Sequence, residues 1–239
     1  MTKLIAHRGA SSYAIENSLE AFSLAFDQGA NGVEGDFLLT KDRKIIAFHD
    51  LNTKRLLGIS RQTKDLTLEQ IRNESSYYIP ELNEVLELIP KNKEIVIELK
   101  CGREVEKELM KILTASSIHL KQVTVISFRL PTLIRLRKLC SKIKILWIRN
   151  FTMSSCGLNP SPEKVREIIS KENFDGLSLN APKVDKKMIE LFNGFAINTW
   201  TVDDPERFYE LKKLGCTSIS TNCPKKILSH KHNEKRLRN

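Results

Sequence analysis

The sequence predicts an α/β fold, a (β/α)8 barrel with a small hairpin and loop insertion after its second strand, and three observations lead there. Short apolar strands alternate with amphipathic helices almost from the first residue to the last, which is the pattern of a parallel sheet with helical crossovers. Eight such units are present once the two halves of residues 31–49 are taken as one strand with a hairpin extension, and eight units close a barrel. The 239 residues suit one barrel, and no Gly/Ser-rich linker or internal repeat divides them. An open doubly wound sheet lacks support, because no GxGxxG opens a helix.

The elements follow in order. Residues 3–6 form a short apolar strand that delivers His7, Arg8 and Gly9. Asn17 is expected to cap the next helix with Glu20 three residues on; Leu19, Phe22 and Ala25 give that helix an apolar side, and Gly29 ends it. The second strand starts near Asn31 and carries Glu34 and Asp36. Side chains two apart on a strand leave on the same side, so both carboxylates share a face. The chain turns at residues 40–43 and returns through 45–48 to His49 and Asp50. Residues 51–79 are the least regular part, with a short helix near 66–72 and just enough leucines to fold back onto the barrel. Pro80 starts a helix carrying Leu82, Val85, Leu86 and Ile89. In the third strand, 94–99, Ile95, Ile97 and Leu99 face one way, while Val96, Glu98 and then Lys100 face the other.

Beyond it, helices at 103–116, 131–140, 162–171, 184–192 and 204–214 alternate with strands at 122–127, 143–148, 175–179, 195–200 and 217–221. A final short helix begins at Pro224. Residues 1–229 are read as one barrel domain and 230–239 as a basic tail.

Composition narrows the function classes. With 41% hydrophobic and 28% charged residues the chain can bury a core and stay in solution. No run approaches the ~20 apolar residues of a membrane helix, and the first strand begins too early to leave room for a signal peptide. Five cysteines, an odd number without zinc spacing, read as reduced thiols in a cytoplasm. Net charge is +10, half of it from six Lys or Arg against Glu234 after residue 224. No aromatic residue is interleaved there as a base-stacking platform would need, so a mobile terminus is expected rather than a nucleic-acid partner. No stable membrane insertion is expected either. The basic balance favours an anionic small-molecule substrate.

The polar residues with chemical potential gather at strand ends: His7, Glu34 and Asp36, His49, Glu98 and Lys100, Trp200. In a barrel of this kind the C-terminal strand ends carry the active site. The ordered pieces His7-Arg8-Gly9, Glu16-Asn17, Glu34-x-Asp36, His49-Asp50, Ile97-Glu98-Leu99-Lys100, Ile126-Ser127-Phe128, Trp200-Thr201-Val202-Asp203-Asp204-Pro205 and Thr221-Asn222-Cys223-Pro224 resemble the glycerophosphodiester phosphodiesterases. The likeness covers nearly the whole chain.

The resemblance implies metal-dependent hydrolysis of a glycerophosphodiester to glycerol 3-phosphate and an alcohol such as choline or ethanolamine. It implies that Glu34, Asp36 and Glu98 hold one divalent ion, Mg²⁺ or Ca²⁺. Three carboxylates facing one cavity repel unless a hard cation joins them, and no Cys or His cluster suggests zinc. His7 and His49 match the family's acid and base, and imidazole has the right pKa for both jobs. Arg8 and Lys100 are expected on the phosphate, Arg as a planar fork and Lys as a point charge. Trp200 is expected against the glycerol, with Phe128 as a second substrate contact and Asp50 as a partner for His49. Arg149, at the end of the fifth strand, is a further phosphate candidate without support from the family.

Two departures stand out: Ile15 replaces the family's usual proline, and Asn222 its usual Asp. Rival readings are a lysophospholipase D-type or cyclic-phosphate-forming enzyme on the same barrel. A rival of another class is a non-catalytic binder of anionic polymer or membrane through the basic tail.

Overall fold

The computed structural model describes residues 1–102, 104–154 and 157–237. In chain order its elements are β1 (Lys3–His7), α1 (Leu19–Asp27), β2 (Gly32–Leu39), β3 (Ile45–Ala47), α2 (Lys54–Leu57), α3 (Leu68–Glu74), α4 (Leu82–Glu87), β4 (Glu94–Leu99) and α5 (Val105–Ala115). There follow β5 (Val123–Ser127), α6 (Leu130–Leu139), β6 (Lys144–Arg149), β7 (Thr152–Ser154), β8 (Gly157–Asn159), α7 (Pro162–Lys171), β9 (Gly176–Asn180) and α8 (Lys186–Leu191). The chain ends with β10 (Ala196–Trp200), α9 (Pro205–Leu214), β11 (Ser218–Thr221) and α10 (Pro224–Leu237).

Eight of these strands run parallel in the order β1-β11-β10-β9-β6-β5-β4-β2, and β1 pairs with both β11 and β2. The sheet therefore closes on itself with helices between strands, the expected (β/α)8 barrel. The hairpin extension is β3, antiparallel to the outer end of β2 through Phe37↔Ala47 and Leu39↔Ile45.

Strand alternation divides the core in two. Ile5, Val96, Ile126, Leu146 and Ile148 fill the barrel interior, with Ala196 and Trp200 packed against them. The opposite faces, such as Ile95, Ile97 and Leu99 on β4, meet the helices in the larger outer core. Lys100 follows Val96 and Glu98 up the inner face, as the sequence pattern requires.

Close packing of α1 explains a residue between the two carboxylates of β2. A Cβ on Gly35 would stand 2.9 Å from Phe22 Cζ, so only glycine lets the helix approach this strand. Phe22 is fully buried there, a contact worth about 1.5–3 kcal/mol in burial alone. The helix start differs from expectation by one residue. Ser18, not Asn17, is the N-cap, and its hydroxyl accepts from Ala21 N at 3.1 Å.

The insertion folds back as its leucines imply. Leu66, Leu68, Ile71 and Ile79 bury a small cluster against Leu38, Ile46 and Phe48 of the β2–β3 hairpin. Boundaries elsewhere shift by two residues or fewer. The β7–β8 hairpin after β6 was not anticipated. The last helix is longer than expected and runs past residue 229, where the basic tail was placed.

Candidate active site

The acidic cluster is a product of strand register. Parallel pairing sets Asp36 of β2 opposite Glu98 of β4, and His7 of β1 opposite Glu34. Glu34, Asp36 and Glu98 thus converge at one rim, 2%, 0% and 7% exposed, each offering an oxygen within 4.8 Å of the others. Lys100 Nζ lies 3.0 Å from Asp36 Oδ1 and 2.7 Å from Glu98 Oε1. Arg8 Nε lies 3.1 Å from Asp36 Oδ2. Asn17 brackets the same carboxylate: its Nδ2 donates to Asp36 Oδ2 at 3.1 Å, and its Oδ1 accepts from Asp36 N at 3.0 Å.

These surroundings split the three acids. Burial, and then the Asp36 charge, push Glu34 up to about 8 and Glu98 up to about 7. Burial acts the same way on Asp36, but Lys100 and Arg8 outweigh it and hold that carboxyl down at about 2.

Each histidine is tethered through Nδ1. His7 Nδ1 lies 2.8 Å from Asn222 Oδ1. The Asn222 amide orientation follows from Asp203, whose carboxylate accepts from Asn222 Nδ2 and from Asn222 N, both at 2.7 Å. With Oδ1 facing the ring, His7 Nδ1 must carry the proton, and Nε2 is the nitrogen left 4.0 Å from Glu34 Oε2. His49 Nδ1 lies 2.5 Å from Asp50 Oδ1, so its Nε2 is likewise unengaged by this contact. Asp50 is itself clamped by Arg55 Nε at 2.6 Å. Arg55 Nη2 reaches Glu16 Oε1 at 2.7 Å, and Arg8 Nη1 meets the same oxygen at 3.1 Å. A continuous ionic chain therefore joins His49 to the acidic cluster. Burial lowers the pKa of both imidazoles, with Arg8 adding to the effect on His7. Both are held neutral near pH 7, with a lone pair on Nε2.

The loop that aims Arg8 depends on Gly9, which adopts φ 79°. A Cβ there would stand 2.5 Å from the Ala21 carbonyl carbon, so the turn can lie on α1 only without a side chain.

His7, Arg8, Glu34, His49, Glu98, Lys100, Phe128 and Trp200 all line one cavity of about 240 Å³, and Asp36 is buried beside them. Trp200 rises from the barrel interior, and Phe128 meets it edge to face at 6.1 Å between centroids. Arg149 is not among the lining residues. It leaves β6 on the outer face and stacks over Trp147, 4.6 Å from the ring centroid.

The sequence matches the Glycerophosphoryl diester phosphodiesterase family over residues 7–226. The chain belongs to that family. The Bacillus subtilis (strain 168) protein YhdW is 32% identical over 94% of this chain and 96% of its own length. A glycerophosphodiester phosphodiesterase structure from Thermotoga maritima superposes with a TM-score of 0.80 at 28% identity, covering 97% of this chain and 98% of that one. An Oleispira antarctica phosphodiesterase, solved with its product sn-glycerol-3-phosphate, shares the fold with a TM-score of 0.80 at 22% identity, covering 96% of each chain.

For a glycerophosphodiester phosphodiesterase of this geometry, a divalent cation fits the acidic cluster. Glu34 Oε1 is buried with no partner, and Asp36 Oδ1 and Glu98 Oε1 meet only the Lys100 ammonium. Asn222, Asp203, Glu16 and Arg55 complete the site although the sequence assigned them no role. Asn222 even stood as a departure from the family.

Metal binding should therefore raise the melting temperature more at pH 8 than at pH 6. Folded-state values raised to about 8 for Glu34 and about 7 for Glu98 mean that charging these groups costs stability as pH rises from about 4.5 through 8. The cation removes that cost, and must displace protons below it. At about a hundred times Kd the expected gain is ~5–10 °C at pH 8. Thermal scans with Mg²⁺ or Ca²⁺ against EDTA check this. Equal gains at both pH values, or none at either, contradict it.

Proposed function

We propose that this enzyme hydrolyses water-soluble glycerophosphodiesters, releasing glycerol 3-phosphate and a free alcohol such as choline or ethanolamine. The observation that carries the reading is the pair of Nδ1-tethered imidazoles on one cavity with the Glu34–Asp36–Glu98 cluster. One divalent ion, Mg²⁺ or Ca²⁺, would be held by those three carboxylates and, when bound, would polarise a phosphoryl oxygen and offset developing negative charge. With Asp36 and Glu98 so neutralised, Arg8 and Lys100 would be free to turn toward the substrate phosphate, where the guanidinium fork and the ammonium would stabilise the transition state.

One imidazole accepts a proton at Nε2 from the attacking oxygen. The other takes up a proton from solvent at Nε2, favoured by the anionic diester beside it, and gives that proton to the departing alkoxide. Water thus adds across the P–O bond, and the products are the monoester and the alcohol. The product described for the Oleispira phosphodiesterase is the one expected here. Trp200 and Phe128 supply apolar contact for the glycerol carbons. Among the described residues no helix is long and apolar enough to cross a membrane. Cys101, Cys140, Cys216 and Cys223 are unpaired, which supports placing the enzyme in the cytoplasm.

A lyso-lipid substrate is the second reading, favoured by half-exposed Leu51 and Phe128 beside the cavity. Comparing kcat/KM for glycerophosphocholine, glycerophosphoethanolamine and a lysophosphatidylcholine in mixed micelles decides between them. The two soluble diesters should be cleaved at similar rates with glycerol 3-phosphate as product, and the lyso-lipid far more slowly. A clear preference for the lyso-lipid overturns the headgroup reading.

A further inference from the structure

We infer that a second pocket, lined by Phe128, Arg129, Leu130, Thr132, Trp147 and Arg149, binds a phosphate carried by the leaving alcohol of the substrate. The inference rests on the diesterase reading and names the substrate class within it.

Arg149 is the starting observation. Most arginines of the described structure meet a carboxylate, as Arg55 and Arg135 do. Arg149 makes neither an ion pair nor a hydrogen bond among the described residues, and its Nε is buried without a partner. Stacking on Trp147 fixes the plane of the guanidinium but satisfies none of its N–H groups. A half-buried cation with unmet donors is costly unless a counter-charge arrives. Burial alone acts on its pKa, downward, with no acidic neighbour to offset it.

The rest of the pocket has the same sign. Arg129 also has no carboxylate partner among the described residues; its Nε donates to Lys100 O at 3.1 Å, which anchors it just past the end of β4. The first turn of α6 has no side-chain cap and contains Pro131, and its dipole adds positive potential there. The pocket holds about 600 Å³.

Its position ties it to the reaction. Phe128 lines both this pocket and the catalytic cavity, and Trp147 Nε1 donates to Phe128 O at 3.3 Å. A diester held at Arg8 and Lys100 can extend its alcohol past that ring, placing a second phosphate against Arg149 and Arg129. Two planar forks on one anion suit phosphate geometry.

Two substrates differing by a single phosphate test this: glycerophosphoglycerol, and the same diester with a terminal phosphomonoester on the leaving glycerol. The native enzyme should favour the phosphorylated diester by about tenfold to a hundredfold in kcat/KM, mainly through KM. R149Q should bring the ratio near one, and R149K should keep part of it. A ratio near one in the native enzyme, or an undiminished ratio in R149Q, overturns the inference. Calorimetric Kd values of both diesters for the metal-loaded H49A protein give the same comparison without turnover. If neither diester is hydrolysed yet the binding preference holds, the diesterase reading fails and the subsite stands.

Discussion

Replacing His7 or His49 by alanine should each lower kcat by about 10²–10⁴-fold, the usual worth of a positioned proton-transfer group. Neither ring is a core element: their side chains keep 15% and 29% of their surface exposed, so near-UV circular dichroism and melting should stay close to native. N222L gives a finer reading, because it leaves the imidazole of His7 in place and removes its Nδ1 acceptor, together with the Asn222 side-chain bonds to Ser11 and Asp203. Its rate should fall between native and H7A. H119A is the control. His119 caps a short turn by accepting from Lys121 N at 3.1 Å, does not line the cavity, and should turn over at the native rate. Near-normal turnover by either H7A or H49A removes that residue from the mechanism.

Exhaustive chelation should cost about 10³-fold or more in rate, with Mg²⁺ or Ca²⁺ restoring it. Two losses combine in this figure. The Lewis acid is gone, and Lys100 and Arg8 fall back onto Asp36 and Glu98 instead of the substrate phosphate. The fold should survive, because those same contacts keep the buried acids partly neutralised. D36N should fail to recover with added metal, since it removes the carboxylate charge and turns one of the two oxygens that Lys100 and Arg8 contact into an NH2 group. Full activity after chelation would sink the three-carboxylate site.

The barrel was legible because its strands are short apolar runs separated by helices with caps and stops of their own, such as Asp204-Pro205 opening α9 and Gly215 closing it. The acids and histidines were legible because they sit at strand ends, where register brings them together. Side chains whose roles depend on long-range partners were not. Asn17 and Ser18 satisfy the same capping rule, and only the approach of β2 turns Asn17 toward Asp36 at φ 59°. Asn222 and Asp203 are unremarkable on paper, because neither signals an imidazole encoded near the opposite end of the chain. Arg149 ends its strand as the sequence indicates, but it leaves on the helix side of the barrel with Trp147 and not on the face of the catalytic cavity. The β7–β8 hairpin is too short to read: each strand has three residues and one apolar position, Met153 or Leu158.

The tether between His7 and Asn222 spans 215 residues, and it has a temporal meaning. A ribosome releases His7 215 residues before Asn222. While the residues between them are made, the nascent chain carries an imidazole without the amide that aims it. Barrel closure through the β1–β11 seam comes equally late. Such long-range pairing is the slow kind of folding step. Catalytic competence therefore arrives only once β11 has closed on β1, and a barrel that lacks that strand has no partially working form.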